Sequence, residues 1–331
     1  MNESYRNLLN EYEKKRKNHI INLENKKNKL YLDFPELNNL DSKLNKLAIS
    51  SAKLLLENNN PKILENLNKE IAKLKNEKME ILRKNNFPDD YLEVDYDCKK
   101  CNDTGYITEN NHSELCSCFK QKLFNIEYNK SNISNLQNQN FETFKSTYYS
   151  ENVDKQKYNS DISPRKNIEF IKSICLNFIN EFENKDSKNL LFTGNTGLGK
   201  TFLSSCIANE LIKKGKTVLY QTAPVMLDTI IDYRFGKSKD STIYNSLLDV
   251  DLLIIDDLGT ECINNMKFTE LFNILNTRLL NQNNKITKTI ISTNLSLQNL
   301  FNTYDERIVS RLVGNYNICR FYGDDIRFIK K

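Results

Sequence analysis

No apolar run in this sequence is long enough to span a bilayer, and its first residues, Met1 to Arg6, carry no apolar signal core. A transmembrane helix needs about 20 such residues and a secretory leader a core of about 7–15. Neither is expected, so a cytoplasmic location is. Charge of one sign is not in strong excess: 48 basic residues stand against 43 acidic ones, a net +5 that permits a nucleic-acid partner without demanding one. No basic-aromatic stripe marks a surface for stacking bases. Disulfides are not expected in a reducing compartment, so the eight cysteines point to metal binding where they cluster. A length of 331 residues suggests about two domains, and 39% hydrophobic residues suffice for one substantial core.

Residues 189–201 read Asn-Leu-Leu-Phe-Thr-Gly-Asn-Thr-Gly-Leu-Gly-Lys-Thr. Leu190, Leu191 and Phe192 form a short buried strand, and Phe202, Leu203, Cys206, Ile207, Leu211 and Ile212 repeat at helical spacing behind the loop. This is the phosphate-loop pattern G-x-x-x-x-G-K-[ST] in its strand-to-helix context. Gly194, Gly197 and Gly199 allow backbone N–H groups to turn inward around a polyphosphate, and Asn195, Thr196 and Leu198 complete the cradle. The helix starting at Lys200 adds its positive end. Lys200 should reach the β- and γ-phosphates of ATP, and Thr201 should ligate Mg²⁺. The alternative is a plain glycine-rich turn. No Asn-Lys-x-Asp motif follows to read guanine.

Residues 1–90 are polar and helical in pattern. Leu37, Leu40, Leu44 and Leu47 follow a 3-4-3 spacing, as do Leu64, Leu67, Ile71 and Leu74. Pro35 and the Asn58–Pro61 turn separate the helices. A helical hairpin or small bundle is expected, either self-contained or docking a partner. In residues 91–125, Cys98 and Cys101 form C-x-x-C, and Cys116 and Cys118 form C-x-C. Two close pairs can supply four ligands to tetrahedral Zn²⁺. His112 is a candidate replacement for one of them, and free or redox-active thiols are the alternative. Residues 126–163 read as a linker partly ordered against the next domain, and 164–331 as an ATPase domain, starting with Ser163 as N-cap and Pro164 at the first helical position.

Within 164–331, strands are expected at 217–222, 252–257 and 288–294, with helices between them at 224–233 and 267–282. Such alternation predicts a parallel three-layer α/β domain. Ligands bind such sheets at the carboxyl ends of the strands, where every polar signal falls. Asp256 should hold Mg²⁺ through its water shell, Asp257 polarise the attacking water and Asn294 orient it. A solvated strand end is the alternative for the aspartate pair. Arg307 and Arg311, four residues apart, share a helix face. Either could reach a neighbour's γ-phosphate, or both could serve an intrachain ion-pair helix with Asp305 and Glu306. Arg327 is a candidate sensor of the phosphate in its own subunit.

These motifs, in order, resemble the AAA+ ATPases of the DnaC/DnaI type, bacterial replicative-helicase loaders related to the IstB transposition helpers. The carrying stretches are Gly194–Thr201, Leu252–Glu261, Ile290–Asn294, Arg307–Leu312 and Gly323–Arg327. The cysteine segment resembles the zinc module that precedes the ATPase in DnaI-like loaders. The resemblance implies an AAA+ P-loop domain behind a helical region and a zinc module. It also implies docking of the N-terminal region on the hexameric helicase, contact with single-stranded DNA, and head-to-tail self-association with Arg311 as the finger. Asp257 stands where most AAA+ proteins have Glu, which implies slow hydrolysis, and Glu261 is a candidate helper. With four residues after Arg327, the usual C-terminal helical lid is not expected.

Overall fold

The structure, a computed structural model, describes residues 3–56, 61–109, 112–127, 139–236, 242–262, 264–281 and 285–328. It forms two compact units, one of residues 6–114 and one of residues 115–328 with the chain's first residues.

The first unit contains α1 (Glu3–Asp33, which begins just before the unit), α2 (Pro35–Leu56) and α3 (Pro61–Lys84). Pro35 opens α2, the position where its missing N–H costs nothing. The turn expected at Asn58–Pro61 lies largely outside the described residues. The leucine stripe of α2 faces inward: Leu37 and Leu40 are buried, and Leu44 and Leu47 are half-buried. On α3, Leu67, Ile71 and Leu74 are half-buried, and the side chain of Leu64 lies outside the described residues. Lys78 pairs with Asp41 at 2.5 Å and ties α3 to α2. Leu30, Leu37, Leu82 and Leu92 form a small core, closed by Phe34 and Phe87 packed edge to face. The hairpin β1 (Tyr106–Glu109) and β2 (His112–Leu115) follows.

The second unit is built on a five-stranded, wholly parallel sheet. Its strands are β3 (Asn189–Thr193), β4 (Val218–Thr222), β5 (Leu252–Leu258), β6 (Lys288–Thr293) and β7 (Tyr316–Arg320), in the order β4-β5-β6-β3-β7. Strand residues alternate between two apolar layers, as a sheet covered on both faces requires. Leu190, Phe192, Leu252 and Ile254 pack with Ile168, Ile171 and Phe178 of α6 (Pro164–Asn180) and with Leu203 and Ile207 of α7 (Lys200–Lys213). Leu191, Leu253 and Ile255 face the other layer. There they meet α8 (Ala223–Arg234), α9 (Thr242–Asp249), α10 (Asn265–Asn281), α11 (Leu297–Thr303) and α12 (Glu306–Asn315).

Three local features position the site. Ser163 caps α6 by accepting from the Lys166 N–H, with Pro164 at the first helical position. The stretch before α6 is part of this core: Tyr149 is buried in it, and Phe141 and Phe144 pack against it. A short helix, α5 (Lys155–Tyr158), lies between. The edge strand β4 is closed by α4 (Ser117–Glu127), whose Gln121 amide donates to the Val218 carbonyl at 3.0 Å and accepts from the Val218 N–H at 2.6 Å. This side chain substitutes for a neighbouring strand and blocks edge pairing. Among the described residues no helix is long and apolar enough to cross a membrane.

Candidate nucleotide site

The phosphate loop lies at the carboxyl end of β3, between the ends of β6 and β7. Gly194 has φ +135°, a conformation reserved for glycine. A Cβ there would stand 2.2 Å from the backbone oxygen of Phe321, whose own N–H donates to Thr193 O at 2.7 Å. Thus β7, a strand with no counterpart in the sequence-based expectation, runs directly onto the loop. Gly197, at φ +73°, faces the carboxylate of Asp325. Tyr149 closes the loop from another side by donating its hydroxyl to Leu198 O at 2.9 Å.

Lys200 opens α7 and is only 6% exposed. Its ammonium donates to Gly194 O at 2.6 Å, Asn195 O at 2.7 Å and Asn294 Oδ1 at 2.8 Å. Burial lowers its pKa to about 8, with Arg327 adding to the effect and Asp256 and Asp257 opposing it. A lysine held by neutral carbonyls in a partly dry loop gains most when a phosphate replaces them.

Asp256 is 4% exposed. Its Oδ2 accepts from the Thr201 hydroxyl at 3.0 Å and from the Tyr220 hydroxyl. Its Oδ1 accepts from the Asp257 N–H at 3.0 Å and from the Ser292 hydroxyl. A carboxylate has about four acceptor positions, and these four donors fill them. Thr201 and Asp256 are hard oxygen donors converging at the helix start, and this donor set fits Mg²⁺. For a water of the cation's shell to donate to Asp256, one of these donors must yield its position. The contacts of Tyr220 and Ser292 with Asp256 were invisible to motif reading. Only the strand registers Thr222↔Asp256 and Ile291↔Ile255 bring their strands beside Asp256.

Asp257 has φ +56°, a left-handed conformation that aspartate tolerates better than most residues. It stands where the pairing of β5 with β6 shifts register, a bulge that re-aims its side chain. Burial, reinforced by Asp256 and opposed by Lys200, raises its pKa. A cleft of 430 Å³ is lined by Thr196, Gly197, Leu198, Gly199, Lys200, Thr201, Asp257, Asn294 and Arg327, together with Gln139, Phe202 and Ile326. Asn294 also borders a second cleft of 510 Å³, which contains Gly194 and Asn195. The fold therefore gathers the loop, both strand-end polar residues and Arg327. The Arg327 guanidinium is held by Asp325, with Nε 2.9 Å from Oδ1; the pairing raises the arginine's pKa and lowers the aspartate's.

Glu261 and the two candidate finger arginines lie outside this cleft. Glu261 accepts from the Gly259 N–H at 2.8 Å and from the Tyr304 hydroxyl, so its carboxylate organises the turn after β5 and does not line the cleft. Arg311 on α12 donates from Nε to Asn276 Oδ1 at 2.9 Å and lies over the Phe272 ring at 4.4 Å. Arg307 pairs with Asp305 at 2.9 Å and is exposed. Neither arginine lines the cleft of its own subunit.

Cys98 and Cys101 lie in the first unit, where Cys101 is buried, and Cys116 and Cys118 lie at the start of α4 in the second, where Cys116 is buried. Four thiols in two close pairs are a donor set that fits tetrahedral zinc. The Cys98–Gly105 turn supports the first pair: Asn102 and Asp103 are left-handed, and Asp103 accepts from the Cys98 N–H at 2.9 Å. His112 is exposed on β2 and is not a member of the group.

The family model for IstB-like ATP binding proteins matches residues 135–329, more than half of the chain. The chain is 28% identical over 152 residues to the replicative helicase loader DnaC of Escherichia coli strain K12, covering 45% of this chain and 60% of that protein. It is also 28% identical over 144 residues to an insertion-sequence ATP-binding protein of Sinorhizobium fredii strain NBRC 101917 / NGR234, covering 42% and 56%. A crystal structure of the DnaC helicase loader superposes with a TM-score of 0.45 at 21% identity, covering 56% of this chain and 98% of that one. The chain thus matches less than two thirds of the length of its curated relatives.

Proposed function

The chain belongs to the family of IstB-like ATP-binding proteins, and from that premise we propose that it is an ATP-controlled loader that delivers a replicative helicase ring to single-stranded DNA. The observation carrying this reading is the single cleft that gathers Lys200, Thr201, Asp257, Asn294 and Arg327 at the phosphate loop, in a chain whose N-terminal helices and both cysteine pairs precede the family match. The similarity to DnaC supports it.

In this reading Lys200 releases the carbonyls of Gly194 and Asn195 and takes the β- and γ-phosphates, charge-assisted bonds in place of neutral ones. Thr201 and Asp256 hold Mg²⁺, which neutralises phosphate charge when bound. Asp257 accepts the proton of the attacking water, a role helped by a raised proton affinity, and Asn294 orients that water. Arg327 exchanges Asp325 for the γ-phosphate. Arg311 reaches the nucleotide of an adjacent subunit in a head-to-tail assembly. The cysteine cluster holds zinc and orders a segment too small for a core of its own. Turnover is slow, and the bound nucleotide acts as a switch.

The test is size-exclusion chromatography of the full chain with its host's replicative helicase, with ATP, ADP and no nucleotide. Nucleotide-dependent co-migration is expected, and its absence in all three conditions would refute loading. DNA binding should weaken steeply with salt. The similarity to an insertion-sequence protein favours a second reading, a transposition helper on duplex DNA. A transposase gene beside this one, and co-migration with its product, would reverse the order.

A further inference from the structure

Asp256 is held by three hydroxyl groups from three elements: Thr201 on α7, Tyr220 on β4 and Ser292 on β6. Thr201 belongs to the phosphate-loop pattern. The other two do not, and both are buried, Tyr220 at 2% exposure and Ser292 at 0%. Tyr220 stands apart because it also interacts with the Thr201 hydroxyl, besides donating to Asp256 Oδ2. Its ring lies in the apolar layer with Phe192, Leu203 and Ile254, so the hydroxyl has no route to solvent on that side. A phenylalanine would fill this layer as well. A buried phenol hydroxyl placed on the two groups that would hold a cation is explained by orienting them.

We infer that Tyr220, seconded by Ser292, is a positioning residue for magnesium: the tyrosine hydroxyl fixes the Asp256 carboxylate and the Thr201 hydroxyl toward each other, and the serine holds the second carboxylate oxygen. This rests on the nucleotide-site reading above. Without Tyr220 the carboxylate keeps its place on β5 but gains rotational freedom, and Thr201 loses a partner. The phosphate contacts of Lys200 and of the loop N–H groups are untouched. The effect therefore falls on cation affinity and leaves metal-free nucleotide affinity alone.

The experiment is a Mg²⁺ titration of fluorescent ATP-analogue binding to the full chain, for the wild type, Tyr220→Phe and Ser292→Ala, with thermal melts to confirm folding. Metal-free affinity should agree between wild type and Tyr220→Phe within about twofold, while the Mg²⁺ concentration giving half of the affinity gain rises about 10-fold. Ser292→Ala should shift it in the same direction by less. An unchanged Mg²⁺ half-point in folded Tyr220→Phe overturns the inference. Should Tyr220→Phe not fold, Ser292→Ala carries the same decision, and an unshifted half-point overturns it. A wild type whose nucleotide affinity does not respond to Mg²⁺ overturns the nucleotide-site reading itself, and this inference with it.

Discussion

Replacing Gly194 by alanine separates two reasons for a glycine in the phosphate loop. One is the approach of a phosphate. The other is packing within the protein, which acts with no nucleotide present. At φ +135° the added Cβ would meet the Phe321 carbonyl oxygen at 2.2 Å. That oxygen is backbone, fixed by the Phe321 N–H bond to Thr193 O and by the pairing of β7 with β3. Backbone strain costs about 1–3 kcal/mol, forced overpacking about 1–3 kcal/mol and a weakened hydrogen bond about 1 kcal/mol. Together these give roughly 3–5 kcal/mol after partial relaxation. For a unit of this size, Tm should fall by roughly 6–20 °C. Gly236→Ala is the control, at φ +71° with nothing within 4 Å of the added Cβ; strain alone should cost about 1–2 kcal/mol. Gly197→Ala should fall between them, because the obstructing Asp325 carboxylate can swing aside. Thermal and urea unfolding of the nucleotide-free chain measure all three. If Gly194→Ala is no less stable than Gly236→Ala, the packing argument is wrong.

Lys200, with a pKa lowered to about 8 from 10.5 by burial, should regain its proton when a phosphate arrives. Calorimetry in buffers of different ionisation enthalpy at pH 8 should find about half a proton taken up per nucleotide, and affinity should decline above that pH. The linkage sign for the nucleotide-free protein follows: between about 8 and 10.5 the unfolded chain binds more protons at this site, so stability rises with pH there. Uptake of no proton would contradict the burial argument. For the cysteines, one zinc per chain is expected by elemental analysis. A thiol reagent should react quickly with exposed Cys262 while Cys98, Cys101, Cys116 and Cys118 stay protected until a chelator is added; four reactive thiols before chelation would exclude the metal. Arg311→Ala should keep nucleotide affinity within about twofold and lower turnover by about 10³-fold or more. Turnover within threefold of the wild type would return Arg311 to a purely structural role against Asn276 and Phe272.

The local signals were legible because each is short and its chemistry is stringent. Gly194 to Thr201 can hardly be read otherwise between an apolar strand and a helix. The Ser163-Pro164 start of α6, the apolar run ending in Asp256-Asp257 and the leucine stripes of α2 and α3 depend on neighbours a few residues away. Glu261 shows the limit of that reasoning. Four residues after Asp257 it looked available, but Tyr304, 43 residues further on, engages its carboxylate.

What sequence by itself determined, then, was four of the five strands of the sheet and the residue types of the loop, since backbone propensity, periodicity and glycine freedom act locally. What only the tertiary structure decided was which strand lies beside which. The order β4-β5-β6-β3-β7 carries Tyr220 and Ser292 to Asp256, Asn294 to Lys200 and the end of β7 onto Gly194. Those contacts join residues 36 to 127 positions apart. Their physical cause is the burial of both sheet faces and the pairing of neighbouring strands, which no window of sequence contains.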